Sequence, residues 1–207
     1  MINIIKQSTE ATINVKGSKF IGYTFNVTNK NEIDAILHQM KKEHYKATHI
    51  CYAYRIGKEN ITEFSTDSGE PSGTAGKPIL GAILRHNLTE ILLAVVRYFG
   101  GTKLGVRGLI DAYSETAECA IKSSKIISQD KYEKVKVELN YTFLSSFEHQ
   151  IKQKNMPIIL TVYNENVTFT IGIKSIAFDN EKSWLDDLLG TKQILYYNCL
   201  GEDWIDI

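Results

Sequence analysis

The chain has 207 residues, with 24 Lys+Arg against 24 Asp+Glu and a formal net charge of +0. That balance excludes a basic tail or a domain held on DNA by bulk positive charge. Hydrophobic residues make up 43% and charged ones 23%, which excludes an acidic disordered segment and supplies at least one sizeable core.

Three cysteines, Cys51, Cys119 and Cys199, lie far apart, with no CxxC pair and no metal-ligand spacing. An odd count fits reduced thiols in a cytoplasmic protein better than a disulfide framework. The N-terminus, MINIIKQSTE, lacks the charged and long apolar regions of a signal peptide. The longest aliphatic run, Ile91 to Val96, is far short of the ~20 residues of a membrane span. No membrane partner is expected.

The first half opens with extended segments, including Phe20 to Val27. Asn29 or Asn31 caps a predicted helix through Ile33, Ile36, Leu37 and Met40, an i, i+3, i+4, i+7 stripe. His49 to Ile56 and Ile61 to Thr66 read as a hairpin around the turn Gly57 to Asn60. A small-residue loop, Asp67 to Gly76, precedes a helix over Ile79 to Leu84. Ile91 to Tyr98 is nearly all apolar, as in a strand buried on both faces. A glycine loop, Gly100 to Gly108, leads into a helix over Leu109 to Ile121.

Near residue 130 the pattern restarts after a polar stretch, Ser128 to Lys131. A strand at Val135 to Leu139, a helix at Leu144 to Lys154, strands at Pro157 to Tyr163 and Val167 to Ile173, a helix at Asp179 to Leu189 and a strand at Ile194 to Cys199 follow. The order β-α-β-β-α-β is the ferredoxin-like split βαβ unit. The expected fold class is α+β in two domains, 1–130 and 131–207. The neutral total conceals an asymmetry: 16 basic against 13 acidic residues in the first domain, and 8 against 11 in the second.

Two loops carry the chemistry. In the first, Asp67 and Glu70 precede or flank Gly69, Ser72, Gly73, Thr74, Gly76 and Lys77. Consecutive backbone N–H groups running into a helix form an anion nest, and small side chains admit a phosphate. A Walker A loop is excluded, because it needs glycine where Pro71 stands and Ser or Thr where Pro78 stands. Left-handed turn glycines explain the same pattern without a ligand. In the second loop, Arg97 and Tyr98 end the apolar strand before Gly100, Gly101, Lys103 and Arg107. Cations near open backbone suit phosphate, and aromatic faces, Tyr54 or Tyr98, suit stacking on bases. The alternative pairs Arg97 with Glu70 and buries Tyr98. Asp67 and Glu70 are also candidate pocket carboxylates, for acid–base work or Mg²⁺. A Cys51–His49 dyad is geometrically open on one strand face, against the simpler role of Cys51 as a small core residue.

The runs Ala47 to Gly57, GEPSGTAGKPIL and VVRYFGGTKLG closely resemble the IMPACT family, in its bacterial YigZ-type branch. Ser68 stands where the family usually has a second acid, and Val106, Arg107 and Asp111 depart from its pattern after KLG. The resemblance implies an N-terminal domain like domain 2 of ribosomal protein S5 and a C-terminal domain like the ferredoxin-like domains of elongation factor G. It implies a non-enzymatic protein that binds RNA or the ribosome and regulates translation. No cofactor, metal or catalytic residue is expected. The alternatives are an enzyme or small-anion or nucleotide site in the same two loops, and a protein-interaction module using the C-terminal domain.

Overall fold

The computed structural model of the protein describes residues 1–207. They divide into two compact units, Ile2–Ser128 and Gln129–Ile207 together with Met1. No helix is long and apolar enough to cross a membrane.

The first unit contains β1 (Ile2–Ile5), β2 (Thr9–Val15), β3 (Ser18–Asn26), α1 (Lys30–Glu43), β4 (His49–Ile56), β5 (Thr62–Thr66), α2 (Gly76–Arg85), β6 (Ile91–Tyr98) and α3 (Gly105–Ser123). Its antiparallel sheet has the order β2-β3-β6-β4-β5. The central strand β6 is almost unbroken in apolar residues because both of its faces are covered. Leu93 and Val95 pack with Ile79, Ile83, Leu109 and Tyr113 of α2 and α3. On the opposite face Leu92 packs with Ile33 and Leu37, and Ala94 and Val96 with Met40. The cap of α1 is Asn29 rather than Asn31: its Oδ1 accepts the Glu32 N–H at 3.1 Å, and Glu32 reaches back to the Thr28 N–H at 2.8 Å.

The second unit is built from β7 (Ile126–Leu139, from Gln129 onward), α4 (Leu144–Gln153), β8 (Ile158–Tyr163), β9 (Val167–Lys174), α5 (Phe178–Gly190) and β10 (Tyr196–Asp206). The antiparallel strand order is β10-β7-β9-β8, the ferredoxin-like arrangement. Val135, Val137, Phe169 and Ile171 face Phe147, Ile151, Leu185 and Leu188 in its core.

Two expectations change here. The polar stretch at 128–131 is strand, because β7 already begins at Ile126 and pairs with β10 out to Gln129–Asp206. The last strand does not stop at Cys199. A bulge between Cys199 and Gly201 absorbs the irregularity and pairing continues to Asp206.

Candidate functional site

Register builds the site. Arg97 on β6 lies opposite His49 on β4 and Phe20 on β3, so the three form one row across the middle of the sheet. Cys51 lies two residues along β4 from His49, opposite Val95, on the same face. The loop 67–75 leaves β5 and enters α2 beside this row. The loop 99–104 leaves β6 and enters α3.

The glycine nest of the first loop is occupied by the protein itself. The Asp67 carboxylate accepts the N–H groups of Gly73 at 2.8 Å, Ala75 at 2.9 Å and Gly76 at 2.8 Å. Ala75, at the N-cap of α2, has no side-chain cap, so Asp67 performs that role from eight residues upstream. Burial pushes the Asp67 carboxyl upward, but the three N–H donations and the nearby Lys77 charge outweigh it and hold the group below its ordinary range. An external phosphate therefore does not find the amides of Gly73 and Gly76 open. Thr74 donates its hydroxyl to the Pro71 carbonyl at 2.7 Å. Gly69 supplies a positive φ of 90° and lies against the His49 ring. Ser72 and Lys77 are exposed.

Glu70 turns inward, its side chain 3% exposed. Its Oε1 accepts Nη1 of Arg97 at 2.6 Å and the Tyr113 hydroxyl at 2.8 Å, with Nε2 of His49 at 4.0 Å. No protein donor reaches Oε2. Arg97 is 5% exposed, held between the rings of Phe20 and Phe99 with centroid distances of 5.4 and 5.5 Å. Its Nε is buried without a partner. Arg97 is thus not the exposed phosphate-neutralising cation of the sequence reading, and the alternative pairing with Glu70 is the one that forms.

Other expectations are also corrected. Tyr98 points to the opposite face, where its hydroxyl meets Nδ1 of His44 at 2.9 Å; Tyr54 is on that face too, stacked on Phe64. Neither ring can stack on a base beside Arg97. Gly100 serves packing rather than phosphate: a Cβ there would lie 1.9 Å from the backbone of Gly17. Gly101 is exposed in open space. Asp67 and Glu70 do not work as a pair, since each is committed to separate partners. Cys51 donates its thiol to the Asp67 carbonyl at 2.9 Å, while Nδ1 of His49 meets the Ser68 carbonyl oxygen at 3.0 Å, so no dyad forms. Burial pushes the Cys51 thiol up to about 12.

What the two loops enclose is a cavity of about 430 Å³. Its polar floor is Glu70, Arg97 and His49, its apolar walls include Phe99 and Leu104, and Lys103 stands at its edge. The first turn of α3, Gly105 and Val106, completes the lining. That helix has no side-chain cap and no acidic residue in its first turn. Arg107, 85% exposed, lies on the same turn with Nε 3.1 Å from Asp111. Sequence reasoning missed Phe99, Tyr113 and the role of His49. The signal for His49 was present: it heads the strand that pairs beside the Arg97 strand. Tyr113, mid-helix in α3, gave none.

The chain thus defines a two-unit α+β protein with a cavity between two glycine loops of its first unit. The Impact N-terminal domain model matches residues 16–121. The chain is 30% identical to the IMPACT family member YvyE of Bacillus subtilis over 188 residues, covering 91% of this chain and 87% of the relative. It is also 30% identical to the IMPACT family member YigZ of Escherichia coli over 185 residues, covering 87% and 90%. The protein belongs to the IMPACT family. The crystal structure of a hypothetical protein shares the fold, with a TM-score of 0.60 at 24% identity over 97% of this chain and 96% of that one.

Proposed function

We propose that the first unit binds single-stranded RNA through the 99–107 loop and that the protein acts in translational control without catalysing a reaction. The observation that carries this reading is the Phe99 ring, 47% exposed, with Lys103 and Arg107 exposed on the same loop and helix start. An aromatic face flanked by cations stacks a base and neutralises the adjoining phosphates. Phe99 replaces Tyr98 in the stacking role, and the amides of Gly73 and Gly76 drop out of the phosphate contacts. Translation, on or near the ribosome, is the setting that the family resemblance implies. The test is a salt-titrated RNA shift assay on the wild type and a Lys103→Ala/Arg107→Ala variant. Losing two phosphate contacts lowers the log–log salt slope by about 1.4 on single strands. Identical curves would sink the reading.

A protein partner on the second unit is the second reading, and one observation favours it. Strand β8 is a sheet edge on which Ile159, Leu160 and Tyr163 are exposed, with no charge anywhere along Ile158–Tyr163. Such an edge accepts an added strand from another chain. Leu160→Lys is expected to abolish the complex while RNA binding is unchanged.

A further inference from the structure

We infer that the cavity between the two glycine loops holds the terminal phosphate of a nucleotide, with the attached base stacked on Phe99 at its mouth. The inference deepens the RNA-binding reading and rests on it for the source of the nucleotide.

Two independent features point to an anion. The first is the start of α3. Its first-turn N–H groups have no capping side chain, and Gly105 and Val106 line the cavity. An uncapped helix start carries partial positive charge and free donors, which suit phosphate. The contrast with α2 is instructive, because there Asp67 already fills the equivalent place. The second feature is Arg97. A guanidinium has five N–H donors. Here Nη1 serves Glu70, while Nε is buried without a partner in a residue 5% exposed. A buried donor left unmatched is costly, and a phosphate oxygen on the cavity floor is the acceptor it lacks.

Charge and shape narrow the ligand. Glu70 neutralises Arg97 and holds it in place through Oε1, so the floor alone is not strongly cationic. Lys103 at the edge supplies the added positive charge. The walls are apolar, and the exposed Phe99 ring is at the opening. A cavity of about 430 Å³ with an aromatic ring at its opening takes the tip of a chain, charge first, more readily than its middle. A phosphate at the end of a nucleotide leads with its charge and leaves its base at the aromatic mouth. A 5′-phosphorylated RNA end and a free nucleoside monophosphate share this chemistry.

The experiment measures binding of three probes by calorimetry: a 5′-phosphorylated single-stranded RNA, the same RNA with a 5′-hydroxyl, and a nucleoside monophosphate. Two variants keep the core intact. Lys103→Ala removes an exposed cation. Val106→Asp places a carboxylate on the 61%-exposed first-turn position, where it suits the helix and repels the ligand. The phosphorylated RNA is expected to bind about tenfold or more tightly than the hydroxyl form, the scale of a charge-assisted contact. Both variants are expected to erase that difference. Equal binding of the two RNAs overturns the phosphate site and leaves the RNA reading standing. Binding of the mononucleotide alone, lost in both variants, keeps the site and overturns the RNA reading. Binding of none of the three overturns both.

Discussion

The Asp67 carboxylate accepts the N–H of Gly76 at 2.8 Å, across nine residues, and so ties the end of the β4–β5 hairpin to the start of α2. Two further amides, of Gly73 and Ala75, share the same carboxylate. Asp67→Asn removes the charge and turns one acceptor oxygen into a donor that faces an N–H. The expected loss is about 1–3 kcal/mol of unfolding free energy, read by urea titration. The pH dependence follows from the lowered carboxyl. The folded state binds this proton less readily than the unfolded state, so the stabilisation is complete above the ordinary Asp range, near 3.9. It is lost as the pH falls through the depressed value. The gap between wild type and Asp67→Asn therefore closes on acidification, and a gap that widens there would contradict the assignment.

Neighbouring glycines separate packing from backbone freedom. A Cβ on Gly100 would meet the Gly17 carbonyl carbon at 1.9 Å and the Ser18 nitrogen at 2.3 Å, all backbone that cannot swing aside. Gly101 has a φ of 86° and nothing within 4 Å. Gly100→Ala must part β6 from the β2–β3 turn, and the expected loss is about 1–3 kcal/mol or more. Gly101→Ala meets only the left-handed backbone penalty, about 1–2 kcal/mol. Thermal melts of the two variants should rank Gly100→Ala as the less stable.

The buried Glu70–Arg97 contact at 2.6 Å calls for a double-mutant cycle. Glu70→Gln leaves a guanidinium in the floor without its counter-charge, and removing one partner of a buried pair costs roughly 3–5 kcal/mol. Arg97→Met in the Glu70→Gln background removes the stranded charge and places an apolar chain between Phe20 and Phe99. The double variant is expected to be more stable than Glu70→Gln alone. Additive losses would show that Glu70 is held by Tyr113 and not by Arg97.

Much of the fold was legible because apolar spacing reports burial directly. Ile33, Leu37 and Met40 are the buried stripe of α1, and the unbroken run of β6 is buried on both faces. The long ends of β7 and β10 were not legible. Their outer residues, such as Lys131 with Glu202 and Lys134 with Asp203, are charged pairs across strands, and polar runs resemble loops in a single sequence. In the site, residue types were informative and partners were not. The sequence showed an anion nest beside a carboxylate, but it could not show that Asp67 is the anion. It showed Arg97 and Tyr98 side by side. Strand alternation sends one to the cavity and the other to His44, and only the register decides which.

The three cysteines provide a test of how tightly the inner end of the site is closed. Cys51 is buried, Cys119 half-buried and Cys199 exposed. The thiolate is the species that an alkylating reagent attacks. For Cys51, burial pushes the thiol up to about 12, so the thiolate is scarce at pH 8. Its Sγ also lies between the Asp67 carbonyl and the Tyr113 hydroxyl, which leaves no approach for a reagent. Burial and the neighbouring Glu133 raise the Cys199 thiol as well, but its exposure on β10 leaves it open to attack. Native-state alkylation followed by mass spectrometry should therefore modify Cys199 first and leave Cys51 unmodified until the first unit unfolds. All three should react together in denaturant. Modification of Cys51 at the rate of Cys199 in the native protein would mean that the 67–75 loop opens readily. In that event the Asp67 bonds to Gly73, Ala75 and Gly76 would not be what holds the loop shut.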